Sequence, residues 1–167
     1  MSRLRSERLS AEHDLEAFNC GQAALDTWLR RAARHADAAN TGRTFVWVGP
    51  GSSTVMAYFT LTAHLVRRVD LSVRVGRGSP DVIPTILLAR LALDRSLHGR
   101  GLGGQLLLDA LERAVGASAR AAARLVAVDA INEQAAAFYL HYGFRPCPDP
   151  GRLVRKTSEI AAALSRS

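Results

Sequence analysis

The stretch from Ile86 to Gly104 constrains this chain more than any other. A nearly continuous apolar run, Ile86 to Leu93, passes through Asp94 and Leu97 into His98-Gly99-Arg100-Gly101-Leu102-Gly103-Gly104 and straight on into an amphipathic segment. The run predicts a central strand buried on both faces. The segment after it predicts a helix from Leu102 to about Val115, with Leu107, Leu108, Leu111 and Val115 on its apolar stripe. Glycines at such a junction remove the Cβ atoms that keep a ligand off the backbone. The first turn of a helix also presents free N–H groups and a partial positive charge. Together these features form a cradle for phosphate groups, and Arg100 adds a full charge beside it. A P-loop is excluded, because the turn ends in Gly103-Gly104-Gln105 rather than Gly-Lys-Ser/Thr. A Rossmann turn would come after the first strand and be followed by an acidic residue about 20 positions later, whereas this turn sits two-thirds of the way along. The plain alternative is a strand-to-helix connection with no ligand.

The rest of the chain reads as mixed α and β. Leu4 to Leu9 predicts an edge strand. From Gly21 to Ala39, Leu25, Trp28, Leu29 and Ala32 recur at helical spacing, with Arg30, Arg31 and Arg34 pointing away from that face. Thr44–Val48 and Val55–Thr62 read as strands joined by the turn-rich residues 49–53. His64 to Pro84 reads as a partly ordered loop with one short strand. Arg124–Ala130 is a further strand. Asn132 is positioned to cap a helix running to Tyr142, with Ala135, Phe138, Tyr139 and Tyr142 on one face. Phe144–Cys147 and Leu153–Lys156 close the sheet, and a short helix follows. Alternating strands and helices give an α/β (α+β) sheet domain covering residues 1–167.

With 167 residues, 48% of them hydrophobic, the chain is long enough for one real core. No apolar stretch is long enough to span a bilayer, and the charged start, Met1-Ser2-Arg3-Leu4-Arg5, does not resemble a secretory signal. Cys20 and Cys147 lie too far apart to suggest a disulfide framework, so a cytoplasmic location is expected. Five scattered histidines show no metal-ligand spacing, and no metal is expected. The net charge is +7, carried almost wholly by arginine, with Lys156 the single lysine. Arginine forks match phosphate oxygens, so an anionic partner is one reading of this surface. A merely solvated surface is the other.

Three groups of residues resemble motifs A and B of the GNAT acyltransferases: Leu91-Ala92-Leu93-Asp94, the turn His98 to Gly103, and Asn132 with Phe138-Tyr139 and Tyr142-Gly143-Phe144. The family loop opens with Arg or Gln, where this chain has His98. A closer resemblance covers almost the whole chain. Phe18-Asn19-Cys20-Gly21, Leu25, Trp28, Leu29, Arg43-Thr44-Phe45-Val46, Pro80-Asp81-Val82-Ile83-Pro84, Leu88 to Asp94, and Phe138 to Phe144 are similar to the GNAT toxins of bacterial toxin–antitoxin pairs. Most of those carry Asp at the position of Asn19.

The resemblance implies a mostly antiparallel central sheet flanked by helices, with central strands splayed around acetyl-CoA. It implies that Leu91, Ala92, Leu93, His98, Gly99, Arg100, Gly101, Leu102, Gly103, Gly104, Asn132 and Phe138 hold that cofactor, and that Tyr139 is the general acid. Without the resemblance, Tyr139 reads equally as a core tyrosine and Asn132 as a cap. The toxin resemblance further implies acetylation of the α-amino group of aminoacyl-tRNA, a ribbon-helix-helix antitoxin and a homodimer. Arg30, Arg31, Arg34, Arg67, Arg68, Arg74, Arg77 and Arg90 are candidate tRNA contacts through the phosphate backbone. No aromatic pairs interleave with these arginines in the sequence, so base stacking is not expected. The alternatives are a GNAT enzyme acting on a small-molecule or protein amine, and a non-catalytic acyl-CoA- or tRNA-binding module.

Overall fold

The computed structural model describes residues 4–166; Met1–Arg3 of the charged start and Ser167 lie outside them. In chain order the elements are β1 (Glu7–Arg8), α1 (Ala23–Arg31), α2 (Ala33–Ala38), β2 (Arg43–Val48), β3 (Val55–Arg67), α3 (Val73–Gly76), β4 (Val82–Leu93), α4 (Leu102–Ser118), β5 (Leu125–Asp129), α5 (Glu133–His141), β6 (Arg145–Pro146), β7 (Arg152–Lys156) and α6 (Thr157–Ser165). The seven strands form one sheet in the order β1-β2-β3-β4-β5-β7-β6. Pairing is antiparallel for β1–β2, β2–β3, β5–β7 and β6–β7. It is parallel for β4–β5, where Thr85 to Leu88 face Leu125 to Val128. That ladder stops at Leu88, although β4 runs on to Leu93.

Internal contacts gather into two compact units. The first holds residues 4–62 and 89–110. Its core includes Leu15, Phe18, Leu29, Ala33, Val46 and Tyr58. On α4, Asp109 turns inward and accepts bonds from the backbone N–H and hydroxyl of Ser6, both at 2.7 Å, and from the Trp47 indole N–H at 2.9 Å. These donors satisfy the buried carboxylate. The second unit holds residues 63–88 and 111–166. Its core joins Val66, Leu71, Val75, Ile83, Leu125, Ala127 and Val154.

Several sequence expectations are corrected. The edge strand shrinks to Glu7–Arg8. The helix expected over 21–39 breaks at Ala32, whose φ of −121° resets the helical phase, so Leu29 and Ala33 are buried rather than Ala32. The buried stripe of α4 is Leu106, Leu107, Ala110, Leu111 and Ala114, with Leu108 and Val115 only half-buried. It is rotated because Asp109 points in, which a polar-outside reading cannot anticipate. The loop expected over 64–84 is largely ordered. β3 continues to Arg67 with Val66 buried between exposed neighbours, and Ser72 caps the short α3 by accepting from the Val75 N–H. The second half of β4 is mostly half-buried rather than covered on both faces.

Candidate active site

The glycine turn adopts the backbone its composition demands. Gly99 and Gly101 have φ of +77° and +71°, in the left-handed region that costs other residues about 1–2 kcal/mol. A Cβ on either would meet no protein atom within 4 Å, so the approach to this backbone is open. α4 begins immediately at Leu102, with Gly103 and Gly104 in its first turn. The turn thus meets the physical requirements of a diphosphate cradle: unhindered N–H groups, a helix N-terminus and the exposed Arg100. His98 is tied down. Its Nε2 lies 2.7 Å from the Leu93 carbonyl oxygen, which only accepts, so Nε2 carries the hydrogen and fastens the turn to the end of β4.

Asp94, between strand and turn, anchors the corner. It accepts from the Asn19 N–H at 2.9 Å and from the Ser96 N–H and hydroxyl at 3.1 and 2.7 Å. Burial works against its ionised form, but the bonds from Ser96 and Asn19 outweigh that and hold its carboxyl below the ordinary range. Asn19 returns the contact through its carbonyl, which accepts from the Arg95 N–H at 2.8 Å, while its side chain accepts from the Gly21 N–H at 3.0 Å. An amide oxygen accepts that second bond in the position a carboxylate oxygen would take. Leu91, Ala92 and Leu93 occupy the part of β4 beyond the β5 ladder.

In the second unit, Asn132 caps α5 by accepting from the Ala135 N–H at 2.8 Å. The other end of α5 closes in a Schellman motif: the Gly143 N–H bonds the Leu140 carbonyl and the Phe144 N–H bonds the Tyr139 carbonyl, both at 3.1 Å. Gly143 takes the left-handed position at φ +88°. The apolar contact that accompanies this motif is the Phe144 ring against Tyr139, with centroids 5.7 Å apart. Phe138 packs edge-on against Tyr139 and Tyr142, at 5.3 and 5.0 Å. Tyr139 is 8% exposed and held between two rings, Phe138 and Phe144. Burial pushes its phenol up to about 12, so it stays protonated throughout the physiological range. Among the described residues its hydroxyl has no hydrogen-bond partner. A rigid, protonated phenol with an uncommitted O–H is a proton donor available to a ligand.

The candidate arginines divide. Arg30 donates to the Phe18 carbonyl, Arg34 to those of Ser10 and His13, and Arg68 to Ser79 and Asp81. Arg31, Arg67, Arg74 and Arg77 remain exposed. Arg90 lies 3.7 Å over the Trp28 ring, and Trp28 in turn stacks on Tyr58. The two partners are distant in sequence, so a local scan for aromatics among the arginines does not find them. Cys20 and Cys147 are free thiols. Burial and the neighbouring Asp26 push the Cys20 thiol up to about 11, which leaves it inert as a nucleophile. Among the described residues no cluster of His, Cys, Asp and Glu is arranged to hold a metal, and no helix is long and apolar enough to cross a membrane.

Residues 61–146 match the acetyltransferase (GNAT) domain. The chain is 38% identical, over 158 residues and 94% of each chain, to the tRNA-acetylating toxin of Mycobacterium tuberculosis (strain ATCC 25618 / H37Rv). It superposes on AtaT complexed with acetyl-methionyl-tRNAfMet with a TM-score of 0.88 and 30% identity, covering 96% of this chain and 99% of that one. It superposes on a tyrosine-to-phenylalanine mutant of AtaT, bound to the C-terminus of the antitoxin AtaR and acetyl-CoA, with a TM-score of 0.84 and 28% identity over 98% and 99%. With the glycine turn opening α4, the domain match and identity running through nearly all of both chains, this protein belongs to the GNAT acetyltransferase family.

Proposed function

We propose that this protein is an acetyl-CoA-dependent N-acetyltransferase that acts as a toxin, moving an acetyl group onto the α-amino group of aminoacyl-tRNA and so blocking translation. The observation that carries this reading is the 38% identity with a tRNA-acetylating toxin across 94% of both chains. The open turn supports it from the side of the chemistry. When bound, acetyl-CoA supplies an acetyl group activated as a thioester.

The amides of residues 99–104 and the Arg100 guanidinium would hold the cofactor diphosphate; the His98 N–H is taken by the Arg95 carbonyl. Backbone N–H groups among Leu91 to Leu93, in the part of β4 beyond its β5 ladder, would face the cofactor; that of Ala92 points with the Asp94 N–H towards β3. Such donors stabilise the negative charge that develops on the thioester oxygen as the amine attacks. Phe138 provides an apolar wall, and Asn132 keeps its side-chain N–H group for the cofactor while its oxygen caps α5. The incoming amine must be neutral. An α-amino group has a pKa of about 7.7–8.0, so a useful fraction is already deprotonated near neutrality, and water suffices to take its second proton. The new N–C bond forms, the C–S bond breaks, and Tyr139 donates to the departing sulfur. An ordinary thiol ionises near 8.5, well below this phenol at about 12. Tyr139 therefore acts first as a hydrogen-bond donor and passes its proton late.

The same reading places the protein in the cytoplasm, as a homodimer whose activity is held in check by an antitoxin with a ribbon-helix-helix DNA-binding part. Residues 1–167 form a single acetyltransferase domain on this reading. Exposed Arg31, Arg67, Arg74 and Arg77, with Arg90 on its aromatic support, are the tRNA contacts among the candidates. Incubation with labelled acetyl-CoA and either charged or deacylated tRNA tests the proposal. Label should enter only the charged tRNA and leave with the amino acid on mild base treatment. Label on a small amine or a protein, with none on charged tRNA, would overturn it.

A further inference from the structure

Arg74 of α3, Arg145 of β6, and Arg155 and Lys156 of β7 line a single cleft in the second unit, where Glu159 of α6 is the one carboxylate. None of the four cations forms an ion pair or side-chain hydrogen bond with a described residue. Four arginines outside the cleft are ion-paired: Arg8 and Arg43 share Asp37, Arg68 pairs with Asp81, and Arg152 with Asp129. Four like charges drawn into one concavity with a single carboxylate, Glu159, against them repel one another. A bound polyanion removes that repulsion and releases its own counterions.

The rest of the lining narrows the polyanion. The apolar lining residues, Val75 and Val154, are 8% and 1% exposed, so a peptide would find charge but no apolar anchor of the kind that dominates peptide binding. A ribose-phosphate backbone needs only the charge. The cleft also adjoins the end of α5. The Arg155 guanidinium lies 3.1–3.2 Å from where a Cβ on Gly143 would sit, against the Schellman motif that fixes Tyr139.

We propose that this cleft binds backbone phosphates of RNA and forms part of the grip on the tRNA substrate. The proposal rests on the aminoacyl-tRNA reading above and adds Arg145, Arg155 and Lys156 to the contacts. Because Lys156 is the single lysine, the unmodified protein carries its own probe. An amine-selective acylating reagent marks only Lys156 and the chain's α-amino group, and peptide mass spectrometry reads each rate. Saturating deacylated tRNA at low salt should slow modification of Lys156 about fivefold or more relative to the α-amine. High salt should abolish the protection, and inorganic phosphate or polyglutamate at matched charge should give none. A double variant, Arg145→Gln with Lys156→Gln, should weaken tRNA binding roughly tenfold and reduce the salt slope by about one per charge removed, with acetyl-CoA affinity unchanged.

Undiminished Lys156 labelling under saturating tRNA would overturn the proposal, as would equal protection by polyglutamate. Aminoacyl-tRNA acetylation measured on the same preparation separates the two failures. If acetylation proceeds while Lys156 stays reactive, only the cleft assignment falls. If aminoacyl-tRNA is neither bound nor acetylated, the functional reading falls with it.

Discussion

Tyr139 combines a fixed ring with a free hydroxyl. Its ring is clamped by Phe138 and Phe144, so removing the hydroxyl should leave the packing intact. We expect Tyr139→Phe to lower the acetylation rate at least about tenfold while acetyl-CoA binds as before; steady-state kinetics beside a binding titration checks both. The pH profile follows from two groups. Burial raises the phenol to about 12, so the donor form is complete below that value and is lost only as pH rises through it. The α-amine of the substrate must instead lose a proton, near 7.7–8.0. The rate should therefore rise through about pH 8 and show no alkaline decline up to about pH 10. A fall between 8 and 10 would assign the acid role to a group of lower pKa. Tyr139 was legible in the sequence through its motif and its helical face. The Arg90–Trp28 stack was not, because nothing local links a strand residue to a helix residue far upstream.

The turn and the elements beside it carry the cofactor argument. Gly101→Ala would force a Cβ into φ +71°, costing about 1–2 kcal/mol or a rearranged turn. Since a Cβ there touches no protein atom within 4 Å, that cost comes from the backbone and not from a clash. The expected result is weaker acetyl-CoA binding with little loss of thermal stability; unchanged affinity would show that the amides of this turn do not contact the cofactor. The strand-turn-helix unit was legible because glycine and apolar periodicity are local signals. α4's inward Asp109 and the break at Ala32 were not, since each depends on partners supplied by other elements: Ser6 and Trp47 for the first, and the packing of Leu29 with Ala33 for the second. The ordered part of 64–84 was missed for a similar reason. Its arginines and glycines read as loop, but Val66, Leu71 and Val75 bury against β5 and β7 residues that the sequence places far away.

At the scale of the molecule, charge and apolar exposure point to different partners. The net charge of +7 favours a polyanion. Leu65, Val69, Val73 and Val82 are instead apolar and 64%, 71%, 82% and 50% exposed within one short span. On the homodimer reading proposed above, these residues would be the apolar part of the contact. Val69→Asp with Val73→Asp should convert a dimer to a monomer in sedimentation analysis, and an unchanged mass would place any dimer contact elsewhere. Neither surface was legible in advance. The exposed valines lie in what read as a loop, and the cations of the cleft come from three elements that only the fold gathers. The claim on which all this depends is that backbone amides of the turn at 99–104 take the cofactor's diphosphate. Calorimetric titration of the pure protein with acetyl-CoA and with acetyl-pantetheine, which lacks the diphosphate, tests it most directly. We predict one site per chain for acetyl-CoA and affinity weaker by about tenfold or more for acetyl-pantetheine. No binding of acetyl-CoA, or equal affinity for the two, would contradict the account.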